Sequence, residues 1–192
     1  MKEEVPRIPL PLKTERLLLR PYFEEDADAF AAYMSDPEAL RFEPYLPLGR
    51  EDSDRELAKR CADPDFIAIC LPPEEDHPFG KLIGHIFFSP CAFSTWEIGW
   101  MLDRSCWGMG FAYEAAAAVV AAAFDAAAFD AAIAHRVIAM CNPENIRSER
   151  LMQKLGMRKE GQLIKNLYFE TDETGSPVWL DTAMYAILRE EW

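Results

Sequence analysis

The sequence predicts one α+β domain built on a largely antiparallel sheet, and three observations carry that reading. Strand-like segments follow one another from residue 66 to residue 102 with no helical pattern between them. Two more close the chain between Met157 and Leu188, joined by a polar turn. The full order reads β, α, α, β, β, β, α, β, α, β, β, which is not the strict alternation of a doubly wound parallel sheet.

Residues 1–13 are Pro-rich and read as a loose arm, leaving 14–192 as a single domain. Arg16-Leu17-Leu18-Leu19-Arg20 reads as a first strand, stopped by Pro21. Asp26 is a candidate N-cap for a helix reaching about Met34. Pro44, Pro47 and Gly49 mark a loop, and Arg50 to Cys61 reads as a charged helix. Phe66 to Leu71 is a strand closed by Pro72-Pro73, with a hairpin loop from Glu74 to Gly80. Lys81 to Phe88 and Thr95 to Leu102 are strands with Ser89 to Ser94 turning between them.

A Gly-containing turn then feeds an Ala-rich helix from Ala112 to about Ala127, because alanine has the highest helix propensity. The Ala-rich stretch runs on to Ala134, and an extended helix or an extra turn is expected there. Arg136 to Cys141 is a strand, and Asn145 to Leu155 is a helix ended by Gly156 at the C-cap. Met157 to Phe169 and Val178 to Leu188 are strands joined through Asp172 to Pro177.

The composition suits one packed core. The chain has 192 residues, 50% apolar and 12% aromatic, which excludes a disordered chain. No apolar run reaches the roughly 20 residues of a membrane helix, and no membrane partner is expected. The start, Met1 to Pro6, has no signal-peptide core, so a cytoplasmic location is expected. Cys61, Cys70, Cys91, Cys106 and Cys141 are odd in number and lack CxxC spacing, which fits a reducing compartment. His77, His85 and His135 show no zinc-ligand spacing, and no metal site is expected.

The formal net charge of −13 disfavours nucleic acid, whose phosphates call for clustered Lys and Arg. An acidic surface suits a cationic partner such as a basic protein tail, a polyamine or an aminoglycoside. It also serves solubility alone. Monomer and homodimer both remain open.

The chemistry concentrates in Trp107-Gly108-Met109-Gly110-Phe111-Ala112, between a strand and a helix. Glycines let backbone N–H groups crowd a ligand, and the first helical turn adds unpaired donors and a positive dipole end. Together these make a pyrophosphate site, with a simple tight turn before a helix as the alternative on this segment alone. A second block follows the next strand: Asn142-Pro143-Glu144-Asn145-Ile146-Arg147-Ser148, continuing through Leu155-Gly156-Met157.

These two blocks resemble the Gcn5-related N-acetyltransferase (GNAT) superfamily. Trp107 to Ala112 is similar to its phosphate-loop pattern, and Asn142 to Met157 to its following strand–helix block. Thr14-Glu15-Arg16-Leu17-Leu18-Leu19-Arg20, Glu97-Ile98-Gly99-Trp100 and the N-P-E-N-x-x-S run resemble the branch that includes the ribosomal-protein N-terminal acetyltransferases. The element order from Arg16 to Leu188 agrees, so the resemblance spans nearly the whole chain.

The resemblance implies a mixed, mostly antiparallel sheet, splayed between the parallel strands Thr95–Leu102 and Arg136–Cys141 and flanked by helices. It implies acetyl-CoA as co-substrate. The pantetheine arm would lie in the opening like an added strand, against main-chain groups of Trp100, Met101 and Leu102. The cofactor-binding set it implies is completed by Trp107, Gly108, Met109, Gly110, Phe111, Ala112, Asn142, Asn145 and Ser148. The activity it implies is direct attack of a neutral primary amine on the thioester. A backbone N–H near Met101 would hold the oxyanion.

Two catalytic residues are expected. Ser148 resembles the serine of the ribosomal-protein branch and would donate a hydrogen bond to the sulfur; the alternative is that it caps or packs. Many relatives place a tyrosine acid where this chain has Met152. Glu97 is the candidate base, on the strand face shared with Gly99 and Met101, with an exposed strand carboxylate as the alternative. His85 lies on the neighbouring strand in a register the sequence does not define. Lys165, Asn166 and Leu167 occupy the region where some relatives carry a glutamate. Met109 and Trp107 replace the usual polar residues of the phosphate loop; Arg147, Arg150 or Lys154 could supply the cation instead, with a solvated helix face as the alternative.

The acceptor is expected between the first two helices and the last hairpin. Phe30, Tyr33, Phe42, Tyr45, Tyr168, Phe169 and Trp179 would form either its pocket or the core. A peptide or protein α-amine is the expected acceptor. The alternatives are a small cationic amine, or a chain that only binds CoA.

Overall fold

The computed structural model describes residues 7–125 and 134–192. The described strands form one sheet in the order β1-β2-β3-β4-β5-β6-β8-β7. They are β1 (Leu12–Lys13), β2 (Leu18–Arg20), β3 (Phe66–Cys70), β4 (Leu82–Pro90), β5 (Thr95–Leu102), β6 (Arg136–Cys141), β7 (Arg158–Leu167) and β8 (Leu180–Leu188). The helices are α1 (Ala27–Met34), α2 (Arg50–Ala62), α3 (Phe111–Phe124) and α4 (Ile146–Lys154). Every neighbouring pair is antiparallel except β5–β6.

That parallel pair opens the sheet. β5 and β6 pair only at Thr95–Arg136, Trp96–Val137 and Glu97–Ile138. Beyond Glu97, β5 stays with β4, and Gly99 to Leu102 face Phe87 to Gly84. Beyond Ile138, β6 stays with β8, and Ala139 to Cys141 face Tyr185 to Ala183. Each strand follows its antiparallel neighbour, so the two edges part in a V. Gly84 permits this on the β4 side: its φ is +152°, and a Cβ there would lie 2.2 Å from the Met101 carbonyl oxygen.

The two faces of the sheet carry separate clusters. On one face, Trp96, Ile98 and Leu102 of β5 pack with Ala115, Ala116, Val119 and Ala123 of α3. Alanine at these positions lets the helix lie close on the sheet. On the other face, Met101 packs with Phe30, Tyr33 and Met34 of α1 and Leu57 of α2. The period of two along β5 therefore sends alternate residues to different helix layers.

Several expectations are refined. Helix α3 ends at Phe124, and the Ala-rich continuation at 126–133 lies outside the described residues. Of the segment expected as an arm, Ile8 is buried and Leu12–Lys13 pairs with β2, so residues 7–13 pack onto the domain. Asp26 stands at the N-cap of α1 without a side-chain cap bond. Its carboxylate instead accepts two hydrogen bonds from buried Arg20, at 2.7 and 2.8 Å, and one from the Phe23 N–H at 2.9 Å. A buried guanidinium is a stronger donor than a helix amide, which explains the exchange. Among the described residues no helix is long and apolar enough to cross a membrane. No group of three His, Cys, Asp or Glu could hold a metal ion among them either.

Candidate active site

The loop from Trp107 to Gly110 turns through two left-handed glycines, Gly108 at φ 76° and Gly110 at φ 83°. A side chain rarely adopts this backbone, so both positions call for glycine. Gly110 is the N-cap of α3, whose first N–H groups have no partner within the helix. A Cβ on Gly108 would meet nothing within 4 Å, so the turn fronts open space. Arg16 braces the turn from outside. Its Nη1 donates to the Met109 carbonyl at 2.9 Å, and its Nε to Glu114 at 2.7 Å. The other Glu114 oxygen accepts from the Arg16 N–H at 2.8 Å and the Thr14 hydroxyl at 2.6 Å. The Thr14–Arg20 segment thus has a local role beyond its strand.

In front of this turn lies a cleft of about 720 Å³ running into the V. Trp100, Met101, Leu102, Trp107, Gly108, Gly110, Phe111, Ala112, Asn145 and Ser148 border it. Two other residues of the expected set lie elsewhere. The Met109 side chain is exposed, and Asn142 lines the neighbouring cavity. The Leu102 carbonyl is already bonded to the Trp107 indole N–H at 3.0 Å.

Arg147, Arg150 and Lys154 also border the cleft from α4. The Arg147 guanidinium sits 4.3 Å over Trp107, and the Lys154 Nζ 4.0 Å over Tyr113. Free amides at a helix N-terminus, a glycine turn with open space before it, and three cations fit a phosphorylated nucleotide. The parted strand edge fits an extended arm. The residues present therefore fit coenzyme A.

A second cavity of about 410 Å³ lies on the other side of the V. Five residues border both spaces: Phe42, Glu43, Trp100, Asn145 and Ser148. They mark the junction where an acyl group and an acceptor would meet. Asn145 caps α4 by accepting from the Ser148 N–H at 3.2 Å. The Ser148 hydroxyl oxygen accepts from the Trp100 indole N–H at 3.3 Å. With that bond made, the hydroxyl proton is free to donate elsewhere. Met152, at the position where many relatives carry tyrosine, is buried in the core.

Glu97 borders the second cavity only. It is half-buried, and burial raises its pKa above the usual carboxylate value. Its cross-strand neighbours are Ser89 and Ile138. His85 faces Met101, not Glu97, and is buried against the Tyr33 hydroxyl (3.3 Å) and Arg60 (3.1 Å). Burial first, then the Arg60 charge, push its pKa well below the ordinary value, so the ring is neutral and packed. Asn166 and Leu167 reach the cavity after a register jump in β7 between Leu163 and Leu167, with Lys165 at φ 48°.

The expected aromatic residues divide. Phe30 and Tyr33 are core, whereas Phe42, Tyr45 and Phe169 line the second cavity. Tyr168 and Trp179 stand exposed, edge to face at 5.3 Å. Sequence reasoning did not single out Glu43. It sits in an irregular loop between Phe42 and Pro44, where no periodicity marks a direction. Its only signal is a carboxylate among aromatic and proline residues.

A left-handed glycine turn at a helix N-terminus, a parted strand edge and an adjoining acidic cavity fit a transferase that uses a coenzyme A thioester. Residues 16–158 match the family described as the Acetyltransferase (GNAT) domain, and the chain belongs to that family. It is 35% identical over 182 residues to the uncharacterized N-acetyltransferase YnaD of Bacillus subtilis, covering 94% of this chain and 98% of the relative. The GNAT-family acetyltransferase structure from Bacillus anthracis superposes with a TM-score of 0.80 at 33% identity, over 95% of this chain and 100% of that one. A ribosomal-protein-S5-alanine acetyltransferase from Vibrio fischeri shares the fold, with a TM-score of 0.67 at 22% identity over 96% of this chain and 99% of that one. The protein is an acetyl-CoA-dependent N-acetyltransferase.

Proposed function

We propose that this enzyme acetylates the α-amino group of a peptide or protein. The observation that carries the proposal is the charge of the acceptor cavity. Glu43, Glu97 and Asp181 line it, and no Lys or Arg does so among the described residues. A free amino acid would bring its own carboxylate against these groups with no cation to receive it. A peptide N-terminus presents a neutral amide there instead. The remaining walls, including Phe42, Tyr45, Phe87 and Phe169, suit an apolar first side chain.

The proton chemistry points the same way. At pH 7.5 an amine of pKa near 8 is about one quarter neutral, whereas one near 10.4 is neutral in about one molecule per thousand. A site built from carboxylates does better with the first. Acetyl-CoA supplies the activated acetyl thioester. Glu97 takes the proton of the entering ammonium, a backbone N–H near Met101 holds the carbonyl oxygen, and Ser148 donates toward the sulfur. Resemblance to the ribosomal-protein branch supports a protein substrate, and the five unpaired cysteines support a cytoplasmic setting.

A polyamine or aminoglycoside is the second reading, favoured by the same three carboxylates. The test offers acetyl-CoA with matched peptides blocked at either the α-amine or the lysine amine, alongside free polyamine and aminoglycoside. Faster CoA release with the free α-amine supports the proposal, and salt should slow it for a basic peptide. Preference for the lysine amine or for a free polyamine overturns it and leaves the acetyltransferase assignment in place.

A further inference from the structure

Two protons must leave an ammonium acceptor before its amide is complete, and Glu97 accounts for one. Glu97 borders the acceptor cavity but not the coenzyme cleft. It is placed to meet the amine on arrival. The second proton becomes acidic only when the new C–N bond forms, and that happens at the junction of the two spaces. Of the five residues shared by both spaces, Glu43 is the one carboxylate.

We propose that Glu43 is a second catalytic residue, taking the proton released by the acceptor nitrogen as the C–N bond forms. The inference rests on the acetyl-transfer reading above. In balance, the nitrogen lone pair forms the C–N bond, and the C–S bond breaks with its electron pair on sulfur. The ammonium loses two protons. One passes through Glu97 to solvent, and the one taken by Glu43 is returned to sulfur by way of Ser148.

The surroundings of Glu43 suit this role. Its carboxylate makes no side-chain hydrogen bond and no ion pair among the described residues, and the residue borders both spaces. Its loop is anchored by the Glu43 N–H to the Leu40 carbonyl at 2.9 Å and the Leu48 N–H to Met34 at 2.9 Å. Behind the cavity wall lies Arg60 of α2, 1% exposed, its guanidinium 3.9 Å over Phe66 and 5.4 Å over Tyr45. Its Nη2 has no hydrogen-bond partner among the described residues.

Arg60 of α2 and Tyr45 of its own loop interact with the Glu43 charge. His85 of β4, Glu97 of β5, Cys141 of β6 and Asp181 of β8 share its cavity, and Arg147, Arg150 and Lys154 of α4 border the coenzyme side. Burial and the Arg60 charge hold the His85 pKa well below its ordinary value, which favours the neutral ring. Burial raises the Glu43 pKa and Arg60 opposes the rise, leaving it at about 7. A base of that strength can take a proton and return it at neutral pH.

The test compares wild type with Glu43→Gln, Glu43→Asp and Glu97→Gln, using the best amine of the acceptor panel. Glu43→Gln should lower kcat by about a hundredfold. Its acetyl-CoA affinity should be unchanged, which also shows that it folds. The limb of the wild-type profile in which kcat rises with pH through about 7 should vanish in Glu43→Gln, persist in Glu97→Gln, and accompany partial activity in Glu43→Asp. Wild-type kcat and an intact limb in Glu43→Gln overturn the assignment while leaving acetyl transfer standing. If no amine supports turnover by the wild type, the acceptor reading and this assignment both fall.

Discussion

Arg16 and Glu114, separated by 98 residues in the chain, hold the Gly108–Gly110 turn between them. The Arg16 guanidinium donates to the Glu114 carboxylate and to the Met109 carbonyl and lies 4.7 Å over the Phe111 ring. The contact therefore links the segment before β2 to the first turn of α3. Burial alone would raise the Glu114 pKa, but hydrogen bonds from Thr14 and Arg16 hold it below the usual value. The clamp is complete above the ordinary carboxylate range and is lost as pH falls through that depressed pKa.

Breaking the clamp should loosen the turn more than it unfolds the protein. Arg16→Ala is expected to weaken acetyl-CoA binding about tenfold, or about 1.4 kcal/mol. Global stability should change by no more than about 1 kcal/mol, because the pair is partly exposed. Calorimetric binding beside urea denaturation separates the two effects. Lost stability with unchanged affinity would make the pair merely structural.

Gly110→Val is expected to remove acetyl-CoA binding from a folded protein. The left-handed backbone at φ 83° costs a β-branched residue about 1–3 kcal/mol. The new Cβ would also stand 3.4 Å from the Arg16 guanidinium. Together these should lower affinity by about a hundredfold or more. Unchanged affinity would place the phosphates elsewhere.

Ser148→Ala should slow turnover by about a hundredfold. Acetyl-CoA affinity should fall no more than about fivefold, the equivalent of one neutral hydrogen bond. Trp100→Phe should show part of the kinetic loss, since the Trp100 N–H orients the Ser148 hydroxyl. Turnover that is the same in Ser148→Ala at every pH would show that the sulfur is protonated by solvent.

His85 predicts a dependence of stability on pH. Its pKa is depressed in the folded protein, by burial first and then by Arg60, while the unfolded chain titrates near 6.5. Its contribution is therefore full above 6.5 and declines as pH falls below it, by up to about 1.4 kcal/mol per pH unit. Urea midpoints measured from pH 7.5 down to 5.5 should fall less steeply in His85→Gln than in wild type. Equal slopes would mean that His85 is not held neutral.

The strongest local signals lay where backbone conformation itself is constrained. Gly108, Gly110 and Gly156 adopt positive φ, and few other residues could, so turn and cap are visible from residue type. The alternation along Thr95 to Leu102 predicted two faces, and Trp96 and Ile98 do pack on α3 while Met101 packs on α1. The Asn145 cap is likewise local, spanning three residues to Ser148. Glu43 left no such trace. Its place at the junction follows from how a loop between α1 and α2 folds over β5, and no period encodes that.

The sequence by itself determined the order of elements from β2 onward, the glycine turn before α3 and the family, and it supplied Glu97 and Ser148 as candidates. These rest on propensity, glycine conformation and motif spacing, all of which act over a few residues. Only the tertiary structure decided that β5 and β6 part after Glu97 and Ile138, and that His85 faces Arg60 instead of Glu97. It also decided that Arg16 clamps the turn and that Glu43 and Ser148 both border the junction of the two spaces. The physical reason is common to these contacts. Each depends on strand register, hydrogen bonds or loop packing between segments far apart in the chain, and that geometry exists only once the sheet has formed.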